Sequence, residues 1–431
     1  MNLSVIPKAS FPKRGLLALL LLLLLGAGVV IFWPKSGESI GHTVAFSDGT
    51  TMTLKAVTCG TEHRYLGGGP WQKIVSMLPR KLALLFGDRR STLTTSRASI
   101  AFWFERKGGG PRSGDPQLVL CDENGYGISG GHWLMRPGMM EGWAFESWPR
   151  RGRMFTLHIY ERASRYPEAK LIGEFAIRNP KPQKYPVWTP APLPVTARVD
   201  DLSVTLVDLM SGVGRGSNKW KPAPNPTVSQ TRAGFRVERN GQPTREWEIV
   251  QAESSDATGN VISQFWGASK EKDLEYAQLQ PHPWPAEEAW RLRVGFSQRV
   301  NFAPDELWTL RGIPLGAPDP TNGVVAQTNL QGVLLEFTGQ AGRRGLGPGD
   351  CFNFRLTPGR KDYRMSVARA VDNLGKDAKL GGSHESQQEW AFALQAGTNA
   401  TSIDLTVALH RTRYVEFLAK PQIILTNATE R

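Results

Sequence analysis

Val195–Gly212 reads VTARVDDLSVTLVDLMSG. On both sides of Asp200-Asp201, apolar and polar residues alternate. Period two is the mark of a β-strand with one buried and one wet face. Two such runs around a short acidic break, closing on a glycine, predict a β-hairpin. The same pattern occurs twice more, in Thr43–Gly60 (TVAFSDGTTMTLKAVTCG) and Val324–Gly339 (VVAQTNLQGVLLEFTG). Self-similarity at this length sets the architecture before any single residue does.

The downstream segments keep the correspondence. Ile100–Arg106, Phe235–Arg239 and Phe352–Thr357 are the next strands, followed by Gln117–Cys121, Trp247–Gln251 and Tyr363–Ala370. Then come three turns, Asp122-Glu-Asn-Gly125, Asp256-Ala-Thr-Gly259 and Asp372-Asn-Leu-Gly375. From the turn aspartate to the next aromatic (Trp143, Tyr276, Trp390) the spacings are 21, 20 and 18 residues. A long alternating strand then starts at Phe155, Trp290 and Ile403, with Leu157, Leu292 and Leu405 on its apolar face.

A single wet face predicts antiparallel rather than parallel sheet, and short strands between Gly, Pro and Asp turns predict a sandwich. The expected fold class is all-β: three tandem immunoglobulin-like β-sandwich repeats of about seven strands each. The likeness is one of geometry. Only the first copy carries two cysteines, Cys59 and Cys121, with Trp103 between them. The expected repeats are 40–180, 195–316 and 323–425, with a proline-rich linker over 181–194 and a second one at Pro314–Pro320.

Ahead of the repeats, Gly15–Trp33 is 19 residues without a charge. As a helix it would be about 28 Å long, enough for a hydrocarbon core of about 30 Å. Lys8, Lys13 and Arg14 precede it. The positive-inside bias predicts residues 1–14 in the cytoplasm, 15–33 as an uncleaved transmembrane signal anchor, and the bulk outside. The competing reading is a cleaved signal peptide, with small residues at Gly26-Ala27-Gly28.

An outside location permits a Cys59–Cys121 disulfide; buried thiols are the alternative. Patterns that resemble catalytic motifs are poorly placed. Gly127-Ile-Ser129-Gly-Gly131 fits G-x-S-x-G, yet a turn precedes it and Arg136-Pro-Gly138 follows, where a nucleophile elbow needs strand and helix. His384-Glu385 opens like a zinc-protease motif, but Gln388 stands where the second histidine belongs. One aspartate per turn is far short of a calcium site, and such a residue is explained by bonds to its own backbone. Trp143, Phe145, Trp390 and Phe392 read as core rather than a sugar platform. His158 and His410 fall on wet faces and read as surface residues. No metal or cofactor is expected.

Charge is the feature with functional content. The chain carries 52 Lys and Arg against 39 Asp and Glu, a net +13. The segment after each opening hairpin concentrates it. Residues 61–98 hold seven basic and two acidic residues (+5), 213–233 hold four and none (+4), and 340–349 hold two and none (+2). Loops on a rigid scaffold are where binding residues tend to sit. The expected contact residues are Arg80, Lys81, Arg89, Arg90, Arg215, Lys219, Lys221, Arg343 and Arg344, with an anionic lipid, acidic polysaccharide or acidic protein as partner. Nucleic acid is not expected outside the cytoplasm. Within the first segment, prolines at 70 and 79 and apolar Trp71, Ile74, Val75 and Leu78 predict short helices near 70–87, either capping the sandwich or lying on the membrane. The function expected is binding or structure at the cell envelope, without catalysis. The alternatives are an extracytoplasmic hydrolase with a site between domains, and an accessory subunit of a membrane complex.

Overall fold

The computed structural model describes residues 41–66, 90–108, 116–129, 132–134, 141–162, 169–180, 182–215, 220–222, 230–262, 265–271, 273–279, 284, 286–316, 323–341, 349–360, 362–386 and 388–424. Among them the structure is all-β, with one 3-10 turn at Pro304–Glu306. No helix among the described residues is long and apolar enough to cross a membrane. The span expected at 15–33 and the helices expected near 70–87 lie outside the described residues. By compactness, the described residues up to Tyr185 form one unit and those from Pro186 onward a second.

The first unit contains β1 (Thr43–Ala45), β2 (Thr51–Leu66), β3 (Arg90–Lys107), β4 (Gln117–Cys121), β5 (Gly127–Ser129), β6 (His132–Leu134), β7 (Glu141–Phe145), β8 (Met154–Arg162) and β9 (Ala169–Arg178). One sheet has the order β1-β2-β3-β7-β6 and the other β5-β4-β8-β9. The sheets meet through their apolar faces: Phe102 of β3 stands edge-on to Phe155 of β8 at 6.3 Å. Leu118, Leu120, Leu157 and Ile159 are fully buried. Burying one such side chain stabilises by about 1.5–3 kcal/mol, so the period-two pattern fixes which face turns inward.

The second unit contains β10 (Val195–Val199), β11 (Leu202–Arg215), β12 (Trp220–Pro222), β13 (Gln230–Arg239), β14 (Gln242–Pro243), β15 (Trp247–Asp256), β16 (Val261–Ile262), β17 (Phe265–Glu271), β18 (Leu274–Leu279), β19 (Trp290–Gln298), β20 (Leu307–Pro314), β21 (Ala326–Leu330), β22 (Val333–Ala341), β23 (Asp350–Thr357), β24 (Tyr363–Asp372), β25 (Lys379–Glu385), β26 (Glu389–Gln395), β27 (Ser402–Arg411), β28 (Arg413–Ala419) and β29 (Gln422–Ile423). Two sheets, β10-β11-β13-β18-β17 and β16-β15-β19-β28, enclose a core of Leu206, Phe235, Trp247, Trp290, Leu292, Phe296 and Phe417. Two others, β21-β22-β23-β26-β25 and β20-β27-β24, enclose Leu335, Phe352, Phe354, Trp390, Leu405 and Val407.

The strands do not respect the boundaries expected at 316 and 323. β20 follows β19 in the chain but pairs with β27, Leu310 opposite Leu405. β28 follows β27 after one residue but pairs with β19, Phe417 opposite Leu292. One sandwich is therefore discontinuous, built from 195–298 and 413–424, and the other, 307–411, is inserted into it. The tail closes the host: β29 pairs in parallel with β11, Met210 opposite Gln422. Gly212 makes this contact possible. Its φ is +87°, and a Cβ there would lie 2.1 Å from the Ile424 carbonyl oxygen. The linker expected over 181–194 is partly structure too, since the Ala191 amide donates to the Leu418 carbonyl at 2.8 Å.

Each opening hairpin carries a bulge at the same step, between Leu54 and Ala56, Leu206 and Asp208, and Phe337 and Gly339. An extra residue there bends and twists the strand. Before it, Leu54, Leu206 and Phe337 lie opposite Phe104, Phe235 and Phe354, all at most 2 % exposed. Across the sheet these phenylalanines face Glu141, Glu275 and Trp390. The expected match of Trp143, Tyr276 and Trp390 thus holds by strand (β7, β18, β26) but is out of register, Trp143 by two places and Tyr276 by one.

Candidate functional site

The three basic segments have a common place in the topology. They join β2 to β3, β11 to β13, and β22 to β23, in each case neighbours in one antiparallel sheet. Of the expected contact residues, Arg90 opens β3 opposite Leu66, Arg215 ends β11 opposite Trp220, and Lys221 lies on β12 opposite Gly214. Arg80, Lys81, Arg89, Lys219, Arg343 and Arg344 lie outside the described residues. The first segment is shorter than expected, because β2 runs to Leu66 and β3 starts at Arg90. Two of its charges are balanced or absorbed by strands: Arg64 sits 3.0 Å from Glu62, and Arg97 belongs to β3. Arg232, counted with the second segment, is a buried residue of β13 instead. Its guanidinium lies 3.4 Å over the Tyr276 ring and 2.7 Å from Glu271. Gly234 leaves room for this cluster, since a Cβ there would meet the Tyr276 ring at 2.6 Å and Asp208 Oδ1 at 2.7 Å. Burial raises the Asp208 carboxyl above its ordinary value.

One constellation has the parts of a nucleophilic site. Cys121, His158 and Glu174 stand side by side on β4, β8 and β9. The Cys121 Sγ is 3.4 Å from His158 Nδ1, and His158 Nε2 is 3.7 Å from Glu174 Oε2. Their environment gives them a different chemistry. Burial pushes the Cys121 thiol up to about 12, helped by the carboxylates of Asp122 and Glu174, and burial lowers His158. A reactive cysteine needs the thiolate, and here both groups are held neutral. The cluster is a hydrogen-bonded thiol and imidazole packed with Val119 and Tyr160. Of the two readings the sequence permitted for Cys59 and Cys121, bridge or thiols, the structure has the thiols. Cys121 is a free thiol, packed beside Val119 and away from Leu118 and Leu120, whereas Cys59 lies on β2 of the other sheet opposite Ile100.

The other motif-like sequences resolve into structure. Ser129 is a strand residue on β5, opposite Val119, and His132 lies on β6 in the other sheet. His384 and Glu385 are on strand β25, where Glu385 pairs with Arg364. Trp143, Phe145, Trp390 and Phe392 are buried. The turn aspartates cap their own backbone. Asp122 Oδ1 accepts from the Asn124 and Tyr126 amides, Asp256 Oδ1 from those of Thr258 and Asn260, and Asp372 Oδ1 from those of Leu374 and Lys376. Gly125, Gly259 and Gly375 all have φ between +76° and +86°, the left-handed region such a turn requires. Among the described residues no group of three His, Cys, Asp or Glu side chains is placed to hold a metal ion.

The histidines overturn the surface reading. His410 is 2 % exposed, although it does point away from its own sandwich core. Its Nδ1 is 3.0 Å from Ser297 Oγ and its Nε2 3.0 Å from Ser366 Oγ, with the Phe302 ring at 5.0 Å. Burial holds it down at about 4, and Arg364 adds to the effect. His63 is held likewise, its Nδ1 2.9 Å from Thr58 Oγ1 and its Nε2 2.7 Å from Ser99 Oγ. Trp103 Nε1 donates to the same Thr58 oxygen at 2.9 Å. Ser297, Ser366 and Ser99 are remote in sequence from the histidines they bond, whereas Thr58 is close to His63, and only an alternating histidine among small hydroxyls hinted at these contacts.

No protein-family model matches this chain, and a search of curated proteins found no match. Among solved structures, the chain is matched with one described as "Marsupial T cell receptor", at 8 % identity and a TM-score of 0.14, over 74 % of this chain and 94 % of that one.

Proposed function

We propose that this chain is a membrane-anchored, extracytoplasmic binding protein. In this reading three copies of one sandwich unit stand behind a signal anchor at 15–33, and they present basic connections to an anionic partner. The observation that carries it is the shared position of those connections: β2–β3, β11–β13 and β22–β23 are each adjacent strands, each with a bulge at the same step. A connection reused three times for positive charge, on frames otherwise rich in paired acids, suits recognition of negative charge. The Cys121–His158–Glu174 cluster supports a non-catalytic role, because its thiol is held neutral. The partner chemistry is a repeated anion, sulfate, carboxylate or phosphate, on a polysaccharide or lipid surface.

The test uses the full chain in nanodiscs of neutral lipid, with dextran sulfate and phosphatidylglycerol vesicles as separate probes. Reversing Arg80/Lys81, Lys219/Lys221 and Arg343/Arg344 to glutamate together should abolish binding of at least one probe. Equal binding by parent and variant, or none by the parent, overturns the reading. The anchor is tested separately: an impermeant thiol reagent applied to intact cells should label a cysteine introduced at Ser229, and labelling only after lysis would contradict the topology.

A further inference from the structure

Two chain crossings join the inserted sandwich 307–411 to its host: the connection 299–306 between β19 and β20, and the single residue Thr412 between β27 and β28. His410 sits at this junction. Its two ring nitrogens reach a hydroxyl on each side, Ser297 on β19 of the host and Ser366 on β24 of the insert. Phe302, from the other crossing, covers the ring. The packing is tight. A Cβ at Gly295 would lie 2.8 Å from Thr412 Cγ2, and the Thr412 amide donates to the Asp362 carbonyl at 2.7 Å.

We propose that His410 is a proton-controlled latch between the inserted sandwich and its host, closed when the imidazole is neutral and loosened when it is protonated. The hydroxyls do not decide the matter, since serine can accept from an imidazolium as well as donate to an imidazole. Charge does. A cation at this buried place has no carboxylate partner among its hydrogen bonds, and the charged group facing it is Arg364, its cross-strand neighbour on β24. Arg364 is itself paired with Glu385 on β25. β19 brings Ser297, the 299–306 crossing brings Phe302, and β28 brings Tyr414 beyond Thr412. Opening the junction lets water reach the ring, where the imidazolium is stable.

The sign follows from the direction of the shift. The folded value, about 4, lies below the ordinary 6.5. The closed junction is therefore fully stable above pH 6.5 and loses stability as the pH falls toward 4. By linkage the opening equilibrium should rise about thirtyfold between pH 7.5 and 5.

The experiment is hydrogen exchange on the full chain from pH 7.5 to 5, with rates normalised to intrinsic exchange. Amides of 405–416 should lose protection about thirtyfold, while those of β22 and β23, which carry no histidine, stay protected. His410→Gln, which can still donate and accept, should flatten the dependence. Arg364→Gln should move the midpoint upward, and it keeps the test decisive if the first variant folds poorly. Glu385→Gln should leave the thirtyfold change in place, separating the histidine from the nearby carboxyl. The proposal is overturned by protection that does not change with pH, by an unchanged dependence in His410→Gln, or by equal loss throughout the chain.

Discussion

The turn aspartates are the residues whose role the sequence made plainest. D-x-x-G between two strands has one economical explanation, a carboxylate that accepts its own turn's amides. Asp256 accepts four hydrogen bonds, from the amide and hydroxyl of Thr258 and the amide and side chain of Asn260, at 2.6–3.1 Å. Asp256→Ala should cost about 1–3 kcal/mol, since it leaves buried donors without an acceptor; urea unfolding of the second unit measures it, and a loss below experimental error would contradict the assignment. Leu405, fully buried, should cost about 2–5 kcal/mol when cut to alanine. His410 was half legible. Alternation places it on the outer face of β27, which is correct. Nothing local shows that Ser297, 113 residues away, and Phe302 would cover that face.

Among elements, β28 teaches the same lesson more sharply. Its own pattern marks it as a strand, with Val415, Phe417 and Ala419 buried and Glu416 exposed. Pattern does not name a partner, and the nearest strand, β27, was the natural assumption. An ion network specifies otherwise. Arg413 bonds to Asp201, 212 residues earlier, and lies 4.5 Å from the Trp247 ring, while Arg239 Nε holds the other Asp201 oxygen at 2.7 Å. These two guanidinium groups, Arg239 first, hold Asp201 down at about 2. A carboxyl lowered from 3.8 stabilises the fold above about pH 4 and loses that contribution as pH falls through 2. Asp201→Asn should therefore weaken the second unit at neutral pH and remove part of its acid sensitivity between pH 4 and 2, as followed by tryptophan fluorescence. The exchange predicts a further result. Cleavage within 317–322 should leave 186–316 and 323–424 together as one particle on gel filtration without denaturant, because β19–β28 and β20–β27 still pair. Separation of the fragments would mean the two sandwiches are independent.

For the whole molecule, composition and periodicity gave the all-β class, and a bulge, a turn and a connection recur at corresponding places along the described strands. The order of domains along the chain was less legible. An inserted sandwich and a tandem one have the same sequence of strands, and only long-range pairing tells them apart. The proposed function lives at this scale, because it depends on charge from three separate connections. Single contacts of exposed charge are weak and screened beyond about 8 Å in physiological salt, so binding by such a surface must be collective and salt-dependent. The most direct measurement is the affinity of the full chain, in neutral nanodiscs, for dextran sulfate across a sodium chloride series. The account predicts an affinity that falls about tenfold or more from low to high salt, with a shallower slope after each pairwise reversal at 80/81, 219/221 and 343/344. An affinity independent of salt, or a slope untouched by all three reversals, would contradict it.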